Sequence, residues 1–164
     1  MDFTIEKMEP ADWPQVSTIY SAGIKTGIAT FQRDVPSWKE WDQSHLNSCR
    51  FVARFNDVIL GWAALSPTSS RCVYAGVAEV SIYIDPEYKH QGIGTKLLKN
   101  LIQQSEKEGF WSLQAGIIKE NTHSRELHQK CEFRELGFRE RLGQMSNEKW
   151  HDVVLMERRS KAVG

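Results

Sequence analysis

Ala78-Glu79-Val80-Ser81-Ile82-Tyr83-Ile84 is followed, beyond Asp85-Pro86, by Lys89-His90-Gln91-Gly92-Ile93-Gly94-Thr95. The first segment belongs to a β-branched run from Val77 to Ile84 that predicts a strand ending at Asp85-Pro86. After the two glycines, Leu97, Leu98, Leu101 and Ile102 recur at helical spacing, so the unit reads strand, loop, glycine turn, helix. Backbone N–H groups at such a turn lack helical partners, and with the helix dipole they form a site for phosphate oxygens. Lys89, His90, Lys96 and Lys99 add local positive charge. The competing reading is a turn that needs glycine for its geometry alone. Leu97 stands where Gly-x-Gly-x-x-Gly needs its third glycine, and Gly94-Thr95-Lys96 has the wrong order for a Walker loop. The turn therefore asks for some other anionic cofactor.

Outward from this unit, strands and helices alternate. Phe3 to Lys7 alternates like a strand, Pro10 and Asp12 supply helix-start chemistry for Trp13, Val16, Ile19 and Tyr20, and Pro36-Ser37 opens a helix from Trp38 to Leu46. Arg50 to Phe55 and Val58 to Leu65, joined by Asn56-Asp57, have the pattern of a hairpin, and Ser66 to Arg71 reads as a polar loop. Leu113 to Ile118 predicts a strand. Ser124, Leu127, His128 and Cys131 share a helix face, and Phe133 to Phe138 and Val153 to Met156 read as closing strands. The order indicates a mixed α/β sheet, and the length of 164 residues without a Gly/Ser/Pro-rich break indicates one domain over 1–164.

Composition narrows the function. With 40% hydrophobic and 26% charged residues the chain is ordinary for a globular protein. The 21 Lys+Arg balance 21 Asp+Glu, so no overall charge attracts nucleic acid. Cys49, Cys72 and Cys131 are too few and too scattered for a disulfide framework or a Cys-x-x-Cys site, which points to the reducing cytoplasm and to no metal. Neither a signal peptide nor an apolar run of roughly 18 residues is present, so no membrane association is expected.

The strand with Lys89-x-x-Gly92-x-Gly94 resembles the acetyl-CoA signature of the GNAT N-acetyltransferase superfamily, Arg/Gln-x-x-Gly-x-Gly/Ala between the fourth strand and third helix. Glu79 to Ile84, Gly27 to Phe31, Gly61-Trp62-Ala63, Arg71 to Tyr74, Asn121 to Phe133 and Trp150 to Arg158 are similar to its phosphinothricin and methionine sulfoximine acetyltransferase branch. The resemblance implies a mixed, mostly antiparallel sheet flanked by helices, acetyl-CoA as co-substrate, and a homodimer. It assigns the backbone of Ile82, Tyr83 and Ile84 to the pantetheine arm and the acetyl oxygen. His90, Gln91, Gly92, Ile93, Gly94 and Thr95 would cradle the pyrophosphate, and Asn121 would contact the arm, although an N-cap role explains it equally. Two departures stand out. Lys89-His90 replaces the common Arg-Gly, and Cys131-Glu132-Phe133 replaces Leu-Gly-Phe, so a positive φ at position 132 would carry strain of about 1 kcal/mol or more.

Glu79 is a carboxylate in an apolar strand, where an ion pair or strand end is the plain explanation. The resemblance makes it the base that takes the amine proton. His128 stands where relatives place a tyrosine acid and would protonate the thiolate or share the base role; a buried core histidine is the rival. Phe31, Arg71 and Tyr74 are the expected acceptor contacts, with the Arg71 guanidinium gripping a carboxylate. Trp150 is either pocket lining or core. The expected reaction is direct transfer of acetyl to the α-amine of a small amino-acid-like compound. Another amine, such as a protein N-terminus or an aminoglycoside, and a non-catalytic acyl-CoA sensor are the alternatives.

Overall fold

Val58–Pro67 (β3) is buried along nearly its whole length because its two sides face different cores. Ile59, Trp62 and Ala64 pack with Val16 and Ile19 of Trp13–Lys25 (α1) and with Trp41 of Trp38–Ser44 (α2). Leu60, Ala63 and Leu65 pack with Leu97, Leu98 and Leu101 of Ile93–Lys107 (α3). A strand covered on both faces has no polar side, which is why its sequence is a continuous apolar run. The computed structural model describes residues 2–164.

The other strands are Thr4–Lys7 (β1), Arg50–Phe55 (β2), Val77–Ile84 (β4), Ser112–Ile118 (β5), Arg134–Gln144 (β6) and Trp150–Arg159 (β7), and the last helix is Thr122–Lys130 (α4). They form one seven-stranded sheet in the order β1-β2-β3-β4-β5-β7-β6. Every neighbouring pair is antiparallel except β4 and β5. This is the expected mixed, mostly antiparallel architecture.

The β4–β5 pair is short. It runs from Val77↔Ser112 to Glu79↔Gln114 and stops, while β4 stays paired with β3 to Ile84 and β5 stays paired with β7 to Ile118. Residues 80–84 and 115–118 thus present open edges to one another, and backbone groups on such edges need partners from elsewhere. Register fixes what faces each way. Glu79, Ser81 and Tyr83 share a face with Trp62 and α1, and across β5 and β7 the same face carries Gly116, Val153 and Leu155, then Arg139 on β6. Val80, Ile82 and Ile84 look the other way, toward α3.

Several boundaries differ from the sequence reading. β6 and β7 extend well beyond Phe133–Phe138 and Val153–Met156, because β6 is an exposed edge whose polar residues hide its period while pairing with β7 supports it. The helix from Trp38 stops at Ser44 rather than Leu46: Arg50 is buried against Trp41 and takes the carbonyls of Asp42 and His45 (2.9 and 3.2 Å), holding that segment out of the helix. Glu132 does adopt φ 71°, and the turn it makes lets the Phe133 N–H donate to the His128 carbonyl at 2.9 Å, anchoring the end of α4.

Leu97 is fully buried, with a methyl group against the Gly61 backbone beneath α3. Leu97→Ala is expected to cost about 2–5 kcal/mol in urea unfolding; a loss below about 1 kcal/mol would show that α3 is not anchored through this contact.

Candidate active site

Where β4 and β5 part there is a cleft of about 1040 Å³, lined by residues of both faces of the sheet. On the α3 side stands the glycine turn. Gly92 has φ 80°, and nothing lies within 4 Å of where its Cβ would be, so the backbone is bare toward the cleft. Ser37 caps α2 and Asn121 caps α4, but no side chain caps α3. The first satisfied amide is that of Lys96, donating to the Gly92 carbonyl at 3.2 Å, which leaves Ile93, Gly94 and Thr95 with free N–H groups at the positive end of the helix dipole. Lys89, His90 and His123 line this mouth, the two imidazoles edge to face at 4.7 Å. His90 sits at φ 63°, the conformation that a glycine would adopt without strain.

On the α1 side, a Cβ placed on Gly116 would lie 3.7 Å from Glu79 Oε1 and 3.4 Å from Val153 Cγ1, so the Glu79 carboxyl hangs over the start of the open β5 edge. Burial pushes its pKa up, and a hydrogen bond from the Gly116 N–H partly opposes this. Glu79 makes none of the ion pairs formed among the described residues. The α1–α2 connection closes over this half of the cleft, where the Phe31 ring covers Gly143 of β6 so closely that a Cβ there would come within 2.7 Å of it.

His128 joins the two halves. It is 2% exposed yet lines the cleft, its ring edge-on to Phe133 at 4.9 Å. Its Nδ1 lies 2.7 Å from the Ser124 carbonyl oxygen, which can only accept, so Nδ1 carries the hydrogen and Nε2 offers a lone pair. Nε2 is buried with no protein partner. Burial pushes the pKa down and the Ser124 bond partly restores it, so the ring is neutral at pH 7. A neutral ring in this tautomer accepts a proton and does not donate one at Nε2, which favours the shared-base reading of His128 over the acid reading.

A carboxylate and an imidazole with free basic atoms, beside open strand edges and an anion-binding helix start, suit acyl transfer to an amine. Residues 13–133 match the acetyltransferase (GNAT) family. The chain belongs to that family. This GNAT protein is 30% identical over 165 residues to the phosphinothricin N-acetyltransferase of Alcaligenes faecalis, covering 94% of this chain and 81% of that one. It is 28% identical over 160 residues to the L-methionine sulfoximine/L-methionine sulfone acetyltransferase of Salmonella typhimurium, covering 94% and 92%. Its fold superposes with TM-score 0.87 and 27% identity on a GNAT phosphinothricin acetyltransferase from Sinorhizobium meliloti in complex with AcCoA, over 97% of this chain and 89% of that chain. As a GNAT member with N-acetyltransferase relatives, the chain is an acyltransferase.

The cleft gathers Glu79, His128, Ile82, Tyr83, Ile84, His90, Gly92, Ile93, Gly94, Thr95, Asn121 and Phe31. Asn121 lines the cleft and also caps α4, accepting from the Ser124 N–H at 3.4 Å. Gln91 is exposed outside the lining. Arg71 and Tyr74 lie exposed in the β3–β4 connection, the Arg71 guanidinium 5.5 Å from the Tyr74 ring centre, outside the lining of this cleft, at the end where β4 and β5 are still paired. Trp150 is likewise outside it, stacked under Arg141. Sequence reasoning missed His123, Gly116, Leu142 and Arg139, all of which line the cleft. Only His123, five residues before His128 and next to the predicted helix face that begins at Ser124, left a signal.

Because the folded pKa of His128 is lowered from about 6.5, the unfolded chain binds more protons just below that pH and stability falls as pH drops toward the folded value. His128→Phe, which keeps an aromatic ring and removes the titration, is expected to flatten the fall of stability with pH below about 6.5. Denaturant midpoints across this range check it, and parallel curves for the two proteins would mean that the imidazole is not held neutral.

Proposed function

We propose that this enzyme moves the acetyl group of acetyl-CoA directly to the α-amine of a small amino-acid-like acceptor of the phosphinothricin, methionine sulfoximine or methionine sulfone type. The observation that carries this is the position of Glu79: a desolvated carboxyl in no ion pair among the described residues, held by the Gly116 N–H where β4 and β5 part, in one cavity with the uncapped start of α3. The fit to acetyl-CoA is specific in kind. Free amides at Ile93, Gly94 and Thr95, with Lys89 and His90, suit a pyrophosphate, and the open edge at Ile82, Tyr83 and Ile84 suits an amide-containing arm, with Asn121 facing it and Gln91 at the outer rim.

Acetyl-CoA supplies an activated thioester carbonyl. The chain's own residues do the rest. An ionised Glu79 takes the proton from the acceptor ammonium, and His128 Nε2 is a second acceptor in the same cavity. A free N–H on the β4 edge faces the carbonyl oxygen, where negative charge develops. None of Cys49, Cys72 and Cys131 lines the cleft, which supports transfer without a covalent acetyl-enzyme.

The reading extends to the whole molecule. One continuous sheet supports a single N-acetyltransferase domain over 1–164. Exposed Leu136, Phe138, Leu142 and Trp150 on the outer β6–β7 edge, with Val73 and Tyr74, support a homodimer. Three free cysteines support a cytoplasmic setting, and among the described residues no helix is long and apolar enough to cross a membrane.

Acetyl-CoA at about a hundred times its dissociation constant should stabilise the fold by roughly 2.7 kcal/mol, and Gly92→Val should abolish the effect by straining the φ 80° turn and filling its bare face. An unchanged melting curve with saturating acetyl-CoA would remove the cofactor from the proposal.

Thiol release with phosphinothricin, methionine sulfoximine and methionine sulfone tests the reaction. Because the Glu79 pKa is raised and the base must be ionised, rate should rise with pH on an acid limb lying above the ordinary glutamate range. Glu79→Gln should lower turnover about a hundredfold and erase that limb while keeping acetyl-CoA protection. Turnover unaffected at every pH would exclude Glu79 as the base.

A further inference from the structure

We propose that His151 and Asp152 are positioning residues, tying the β5–α4 connection to one side of β7 and the bend of β6 to the other, so that the cofactor end and the acceptor end of the cleft keep a fixed relation. This rests on the acyl-transfer reading above and gives a role to the Trp150-His151-Asp152 stretch, which lies outside the cleft lining. The β5–β7 ladder ends at Ile118↔Val153. Beyond it the chain leaves for α4, and strand pairing alone would release Lys119 and Glu120. β7 holds them by other means: the Lys119 N–H donates to the Asp152 carbonyl at 3.0 Å, and His151 Nδ1 lies 2.9 Å from Glu120 Oε2. The hydrogen bond from His151 keeps the Glu120 carboxyl below the usual carboxylate range. The Glu120 carbonyl in turn accepts from the Thr122 N–H at 2.9 Å, and Asn121 between them caps α4 and lines the cleft.

On its other side β7 holds the bend. The β6–β7 register breaks between Arg139 and Gly143, and within the break Arg141 has φ 45°. That conformation is costly for a residue with a Cβ. Asp152 Oδ1 fixes it by accepting the Arg141 N–H at 2.8 Å, while the Arg141 guanidinium stands 5.7 Å from the Trp150 ring centre. Leu142, next along, lines the cleft, and Gly143, the cross-strand partner of His151, lies under the Phe31 ring. Two adjacent residues thus reach from the cap of α4 to the cover of the acceptor end. Exposure separates position from stability here. The Glu120 side chain is 51% exposed, and that of Lys119, 3.9 Å from Asp152 Oδ2, is 59% exposed, so these ion pairs contribute little to global stability. Their effect falls on geometry, where a displacement of about 1 Å at a reacting centre can cost about a hundredfold in rate.

The test reads KM for acetyl-CoA and KM for L-methionine sulfone separately, together with the melting temperature, in Glu120→Ala, Glu120→Gln, Asp152→Ala and Asp152→Asn. Glu120→Ala should raise KM for acetyl-CoA about tenfold with little change for the sulfone, and Glu120→Gln, whose amide oxygen still accepts from Nδ1, should recover most of the loss. Asp152→Ala should show the opposite split, raising KM for the sulfone, with Asp152→Asn recovering because its amide oxygen still accepts from the Arg141 N–H. Melting temperatures should stay within about 3 °C of wild type. Unchanged KM values, or both rising together with a fall in melting temperature, overturn the proposal while leaving the transferase reading intact. A wild type that binds acetyl-CoA yet acetylates none of the proposed acceptors overturns the acceptor class and the role of Asp152 with it. The role of Glu120 and His151 is then decided by the acetyl-CoA concentration that gives half-maximal thermal protection, which Glu120→Ala should still raise about tenfold.

Discussion

The molecule depends on a mismatch in strand pairing. β4 is committed to β3 along its full length and β5 to β7, but the two hold each other over only three residue pairs. Because the cores on either face anchor β3 and β7 firmly, the divergence cannot close, and a stretch of backbone in the middle of the sheet is left with unspent hydrogen-bonding capacity. The candidate cleft is that divergence. The bare turn at Gly92 stands at one mouth of it, and the Phe31 cover at the other.

Burial does the electrostatic work there. Neither Glu79 nor His128 is shifted by a charged neighbour; the leading cause in each is removal from water, which raises the acid and lowers the imidazole so that the two come closer in basicity. One backbone bond to each, from Gly116 and to Ser124, limits the shift and sets orientation. The left-handed residues His90 and Glu132 belong to the same economy of form: each bends the chain where a glycine would be the unstrained choice, one shaping the anion site and the other ending α4 just after His128.

How much of this was readable beforehand varied with the kind of signal. The β3 run, the Val77–Ile84 strand and the glycine turn were plain, because burial on two faces and helix entry leave local marks in the residues themselves. Glu79 stood out for the same reason, a charge among apolar neighbours. The length of β6 was not legible, since an exposed edge strand has no period to show. Nor was the approach of the Glu79 carboxyl to Gly116, which depends on relations between residues on different strands. Arg71 and Tyr74 stand close to the Glu79 strand in sequence, but the parallel pairing at that end of β4 leaves their connection outside the lining of the cleft.

A cleft lined from both faces of a sheet, rather than a pocket sunk into one side, also bears on traffic. The bare α3 amides lie on one face and the Glu79 carboxyl on the other. Under the proposed transfer, phosphates and acceptor would therefore approach from different sides of the sheet, and the spent thiol and the acylated amine would part the same way.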